Sequence, residues 1–100
     1  MGRWAQASRT GGGPTALNFM REAFDLDTTT IRVQYNNPIG ASSLTPASFS
    51  STPSLLQPTT IFPVSAHTID LAFAASIAAD TALIYAGATP NIQSPQTIAH

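Results

Sequence analysis

Residues 28–49 read TTTIRVQYNNPIGASSLTPASF, and two signals of secondary structure follow each other within them. The first is a period-2 alternation, in which Ile31, Val33 and Tyr35 fall on one side of an extended chain. The second is a bend rich in Asn, Pro and Gly, the residues that turns require. The segment therefore predicts a half-buried β-strand, a turn and a return toward a buried aromatic at Phe49.

Similar short segments recur along the chain. Residues 67–73 and 81–87 alternate in the same way, with an alanine-rich stretch between them that would fit a helical turn. Residues 60–64 fit a strand only at a sheet edge or a bulge, because Pro63 cannot donate to a neighbouring strand. The tail from Thr89 is predicted to be extended. Turn signals at roughly 8–12-residue spacing predict an all-β sandwich.

Apolar side chains at alternating positions of these segments are predicted to face the core. They are Ile31, Val33, Tyr35, Ile69, Leu71, Phe73, Leu83 and Tyr85, with Phe49, Leu55 and Leu56 as anchors in the proline-rich region between the strands.

Two interpretations compete for residues 15–26, TALNFMREAFDL. As a helix, the segment places Leu17, Met20 and Phe24 on one stripe at spacings of three and four residues. As a strand, it places Met20, Phe24 and Leu26 on one face and ends in a turn. The spacing alone slightly favours the helix.

Charge is scarce in this chain of 100 residues. Charged residues make up 9% of it, against about 25% in a typical soluble domain, and lysine is absent. With a net charge of -1, the surface gains little protection from charge repulsion, which favours a protein that works inside an assembly. The absence of cysteine excludes disulfide bonds and thiolate chemistry.

Residues 1–16 are predicted to form an extended N-terminal arm, and residues 17–100 a single domain. The arm contains a run of three glycines followed by Pro14. It is also basic, because residues 1–21 contain three arginines and no acid, whereas residues 22–100 contain one arginine and five acids.

Three residues of the arm, Arg3, Trp4 and Arg9, are the predicted protein-interaction site. Aromatic side chains flanked by arginine are enriched where one protein binds another. The alternative is that Trp4 packs onto its own domain. Nucleic acid is not an expected partner, since two arginines neutralise at most about two phosphates.

No catalytic site, metal site or cofactor is predicted. His67 and Asp70 lie three apart, so on a strand they point to opposite faces. Ser65 and Ser76 lack the sharp turn that exposes a nucleophile. The acids Asp25, Asp27, Asp70 and Asp80 lack the spacing of a calcium loop and are expected to solvate turns and edges.

A membrane span is not predicted either. Residues 69–88 form the longest apolar stretch, but Asp70 and Asp80 interrupt it, and each would cost about 2.5–3.5 kcal/mol near the centre of a spanning helix.

Two segments resemble bacterial immunoglobulin-like domains, which are repeated in surface adhesins and also occur on phage virions. The first is TTTIRVQYNNPIGASSLTPASF, and the second is HTIDLAFAASIAADTALIYAG at residues 67–87. The resemblance covers roughly residues 19–95, and it implies an Ig-like β-sandwich with residues 15–26 as a strand. The arm lies outside the family pattern.

The resemblance, the low charge and the basic arm together imply a non-enzymatic structural protein of a bacteriophage virion. The expected role is a capsid decoration or cement protein, present in many copies or as a homo-oligomer, whose arm binds the major capsid protein or other virion subunits at the capsid surface. A tail or connector component is equally compatible. The alternative is an adhesion or binding module at the cell surface, with residues 36–43 and 74–80 as recognition loops.

Overall fold

The computed structural model of the protein describes residues 17–100 and folds them into two antiparallel β-sheets. The strands are β1 (Met20–Asp27), β2 (Thr30–Tyr35), β3 (Phe49–Thr52), β4 (Thr60–Pro63), β5 (Thr68–Ala72), β6 (Ala82–Tyr85) and β7 (Gln96–Ala99). Short 3₁₀ helices occupy Ala41–Ser43 and Pro46–Ser48. The prediction of an all-β protein is confirmed.

One sheet has the strand order β1-β2-β5-β4, and the other has the order β3-β6-β7. Their inward faces contribute to a single hydrophobic core, since apolar strand residues must be covered on one side. The buried members are Met20, Ala23, Ile31, Val33, Tyr35, Leu44, Phe49, Ile69, Leu71, Phe73, Ile77, Leu83, Tyr85 and Ile92. This list includes every predicted inward residue of β2, β5 and β6.

Strands β2 and β5 form the centre of the four-stranded sheet. Ile31 lies opposite Leu71 and Val33 opposite Ile69, and all four side chains are fully buried. Paired residues of an antiparallel sheet project to the same side, so each such pair adds to one continuous apolar surface. The alternation seen in the sequence is therefore the alternation of the folded strand.

Residues 20–27 form strand β1, so the prediction of a strand is confirmed there and the helix is excluded. The prediction of which side chains face inward was wrong. Met20 is buried, whereas Phe24 and Leu26 are exposed and Ala23 takes the inward position. The cause is a β-bulge, because Met20 lies opposite Tyr35 and Glu22 opposite Gln34, leaving Arg21 as an extra residue. One extra residue moves every later side chain to the other face.

The segment before the bulge contacts the second sheet. Asn18 forms a parallel bridge with Ile92, in which the Asn18 N–H donates to the Asn91 carbonyl at 2.8 Å. The Gln96 side-chain amide donates to the Met20 carbonyl at 2.7 Å and accepts from the Met20 N–H at 2.8 Å. The chain before Met20 is thus held against the edge that β7 forms.

Strand β4 lies at the edge of its sheet, as the proline required. Its last residue, Pro63, lies opposite Ile69 of β5. A proline on an exposed edge reduces the number of N–H groups available to an added strand.

Three further expectations are corrected or refined. Leu55 is 64% exposed, with φ of 62°, because it lies in the turn after β3 and its side chain points to solvent. Leu56 is partly buried against the core.

Residues 74–80 form turns rather than a helical turn. The tail, predicted to be extended from Thr89, is so only in part, because Pro90 and Asn91 form a turn before Gln96–Ala99 pairs with β6. Among the described residues, no helix is long and apolar enough to cross a membrane.

Gly87 has no room for a side chain. A Cβ at this position would lie 2.6 Å from Cζ of the buried Tyr85 and 2.9 Å from the Ser48 hydroxyl oxygen. A Cβ at Gly40 would meet only the Ser43 hydroxyl, at 3.9 Å. The two glycines therefore form a matched pair, one crowded and one open.

We predict that Gly87→Ala lowers the free energy of unfolding by about 1–3 kcal/mol, because the Tyr85 ring must shift within the core. Gly40→Ala should change it by less than about 0.5 kcal/mol. Urea unfolding followed by circular dichroism measures both. Equal stabilities for the two variants would contradict the close contact at Gly87.

Candidate functional site

The predicted interaction residues Arg3, Trp4 and Arg9 lie outside the described residues. Within residues 17–100, two features carry functional chemistry, namely a buried polar cluster and an exposed sheet face.

The residues considered for catalysis in the sequence do not converge. His67 is exposed, and Asp70 instead binds Arg32 on the neighbouring strand. The hydroxyls of Ser65 and Ser76 accept hydrogen bonds from backbone N–H groups two residues later, at 3.4 and 3.2 Å. These serines therefore stabilise turns.

Three other residues, far apart in sequence, form a Ser-His-Asp array. His100 Nδ1 lies 2.6 Å from Asp25 Oδ1, and His100 Nε2 lies 3.0 Å from Ser51 Oγ. Because an ionised carboxylate only accepts hydrogen bonds, Nδ1 is the donor to Asp25. No pattern in the sequence marks this array, because pairing of β3 with β6 and of β6 with β7 brings Ser51 and His100 together.

A second carboxylate extends the array. The Ser54 hydroxyl donates to Asp80 Oδ2, and the Ser54 N–H donates to Asp80 Oδ1 at 3.1 Å. The Ser54 hydroxyl is the main reason that the pKa of Asp80 is lowered, with smaller contributions from Ser51 and from nearby His100. Asp80, expected to solvate a turn, is instead a buried member of this cluster.

The array has the order of a catalytic triad but lacks access to a substrate. The side chains of Ser51 and His100 are both 0% exposed. The Ser51 N–H, which in a hydrolase could stabilise an oxyanion, donates to the Leu56 carbonyl at 2.7 Å. No cavity opens beside it in residues 17–100. The cluster joins β1, β3 and the end of β7, which is a structural role.

The remaining aspartate, Asp27, is held by a local bond. Asp27 Oδ1 accepts from the Thr29 N–H at 2.8 Å, and this bond is the main cause of its lowered pKa. Asp27 thus serves the turn between β1 and β2, as expected. In the described part of the chain, no group of three or more acids or histidines is arranged to hold a metal ion.

Acid should destabilise the protein partly through Asp80. Its pKa in the folded state lies below the ordinary value of 3.8, so its contribution to stability is complete above about pH 4 to 5 and is lost as the pH falls through the lowered pKa. We predict that Asp80→Asn flattens the fall of unfolding free energy below about pH 4, and that Ser54→Ala, which keeps the carboxylate, flattens it partially. Denaturant melts from pH 2 to 7 measure this slope. An unchanged slope in Asp80→Asn would contradict the assignment.

The exposed side of the four-stranded sheet carries a row of four side chains, one from each strand. In register, Phe24 lies opposite Arg32, Arg32 opposite Asp70, and Asp70 opposite Phe62. We call these four residues and Glu22 the outer face. Phe24 is 36% exposed and Phe62 is 53% exposed. Aromatic side chains are costly to leave in water, so an exposed pair of them marks a candidate binding surface.

The middle of the row is a two-point ion pair. Arg32 Nε donates to Asp70 Oδ1 at 2.8 Å and Nη2 to Oδ2 at 3.0 Å. This side-chain bond raises the pKa of Arg32. The two bonds fix the orientation of the guanidinium group relative to the Asp70 carboxylate. Glu22, opposite Gln34 in the adjacent row, adds an exposed negative charge.

The loops proposed as recognition tips lie at opposite ends of the strands. The Ile39 N–H donates to the Ala66 carbonyl at 2.9 Å, which places residues 36–43 beside the start of β5. The Ile77 N–H donates to the Thr28 carbonyl at 2.8 Å, which places residues 74–80 beside the start of β2. The two loops cannot form one continuous binding surface.

No family model, curated protein or solved structure matches this chain.

Proposed function

We propose that this chain is a non-enzymatic structural protein of a phage virion, with a capsid decoration or cement protein as the specific role. The observation that carries the proposal is the outer face, where Phe24 and Phe62 are exposed on either side of the Arg32–Asp70 pair. On a surface with so few charges, this face favours association with other subunits rather than isolation in solution.

We also propose that the fold is an Ig-like β-sandwich. The strand order supports it, since β1-β2-β5-β4 and β3-β6-β7 correspond to the two sheets of the constant-type immunoglobulin domain. The fold alone does not specify a function, and the assembly role rests on the surface and the arm.

The arm supplies the second contact in this proposal. The body binds weakly through one face, and the arm binds a neighbouring subunit. Once one of these contacts has formed, the other becomes intramolecular in effect, which raises the overall affinity without a large single interface. Such a protein suits a lattice of repeated subunits, where each copy meets several neighbours.

Incorporation into particles is expected to depend on the arm. Deleting residues 1–13 should abolish incorporation, while the melting of the body measured by circular dichroism stays unchanged, because both described sheets and their common core are built from residues 17–100. Mass spectrometry of particles purified from the phage that encodes this chain measures incorporation. The matched control replaces residues 1–13 by a Gly/Ser sequence of equal length, which should fail in the same way.

Two outcomes would overturn the proposal. Full occupancy of the truncated chain in the particles would remove the arm from the assembly. Absence of the complete chain from purified particles would exclude a virion component altogether.

No enzyme activity is expected from the Ser-His-Asp array. A fluorophosphonate reagent, which labels serines activated by histidine, should not label Ser51 in the folded protein, because that side chain has no exposed surface. Intact mass measurement checks this, with Ser51→Ala as the control for labelling elsewhere. Labelling that is lost in Ser51→Ala, or hydrolysis lost on His67→Ala, would indicate an enzyme.

A further inference from the structure

We propose that the outer face binds the N-terminal arm of a second copy of this chain, with Trp4 seated over the Arg32–Asp70 pair between Phe24 and Phe62. The inference rests on the proposed role of the arm in subunit contacts. It goes further by naming the surface that receives the arm and the partner that supplies it.

The shape of the outer face suits one planar aromatic side chain. Phe24 and Phe62 project from the two outermost strands of the sheet, so three gaps of about 4.8 Å place their backbones about 14 Å apart. The flat ion pair occupies the two strands between them. The result is a shallow seat with aromatic sides and a guanidinium base.

The chemistry of this seat matches tryptophan in particular. Arginine groups held flat by a two-point carboxylate bond stack on aromatic rings, and tryptophan is the strongest aromatic partner for such a cation. Phe24 and Phe62 would cover the edges of the indole. Trp4 is the only tryptophan of the chain.

Charge complementarity points to the same occupant. Residues 1–16 contain Arg3 and Arg9 and no acid, whereas residues 17–100 contain two arginines and five acids. Glu22 lies exposed beside the seat, directly after the exposed Arg21, and its charge would attract an arginine that flanks the bound tryptophan. A segment that joins tryptophan and arginines therefore fits this face better than a neutral or acidic segment.

The length of the arm allows it to reach the outer face of a second copy. Residues 17–19 run along the edge of the other sheet, where Asn18 accepts from the Gln93 N–H at 2.8 Å. The twelve residues between Trp4 and Leu17 can span about 40 Å when extended, which is enough to reach a neighbouring molecule.

The experiment uses the single tryptophan as the probe. In the complete chain, we expect Trp4 fluorescence to shift to shorter wavelength as concentration rises, in step with dimer or oligomer formation measured by sedimentation. Phe62→Ser should weaken this association at least about tenfold, as loss of an aromatic anchor does. Leu55→Ser, which removes an exposed leucine outside the outer face, is the matched control and should leave the association unchanged.

A mixing experiment separates the arm from the face. Trp4→Ala keeps the face and loses the anchor, whereas Phe62→Ser keeps the anchor and loses the face. Neither variant should self-associate at concentrations where the parent does, but an equimolar mixture should form a heterodimer. Phe24→Ser replaces Phe62→Ser if the latter melts at a lower temperature than the parent.

Each contrary outcome has a distinct meaning. A blue-shifted Trp4 in a monomer at every concentration would place the arm on its own body and overturn the inference. Association that survives Phe62→Ser and Phe24→Ser would place it on another surface. If particle incorporation still requires residues 1–13 in either case, the proposed function stands and only the inference fails. If incorporation does not require residues 1–13 but the mixture of variants associates, the inference stands and the proposed function fails.

Discussion

Strand β1 connects the two sheets, and most features of the surface depend on its path. Its backbone pairs with β2 in one sheet, while Met20 at its start and Asp25 near its end bind Gln96 and His100 of the other. The bulge at Arg21 lies between these two contacts, and the same extra residue turns Phe24 outward. The exposed aromatic of the outer face is thus a consequence of closing this side of the fold.

The buried polar cluster also joins β1 to the second sheet. Polar groups inside a protein destabilise it unless each finds a partner, and here Ser51, His100 and Asp25 satisfy one another in series. The same geometry in an open cleft would activate a nucleophile. Here both Ser51 and His100 are buried, and the array joins β1, β3 and the end of β7.

Local patterns predicted the elements whose side chains alternate without interruption. Strands β2, β5 and β6 follow strict period 2, so their inward residues could be identified one by one, and Pro63 identified β4 as an edge. The prediction failed at β1, where an extra residue that no local signal marks reverses the faces. It also failed at Leu55, whose hydrophobicity suggested burial although the turn after β3 directs it to solvent.

Alternation and composition are local properties, so they were enough to predict an all-β chain with few charges. Only the tertiary structure determined which residues from distant segments meet. Ser51, Asp25 and His100 come together through strand pairing, and Phe24, Arg32, Asp70 and Phe62 align through register across four strands. Both sets depend on contacts between residues up to 75 positions apart, whose geometry is fixed only when the two sheets pack on a common core.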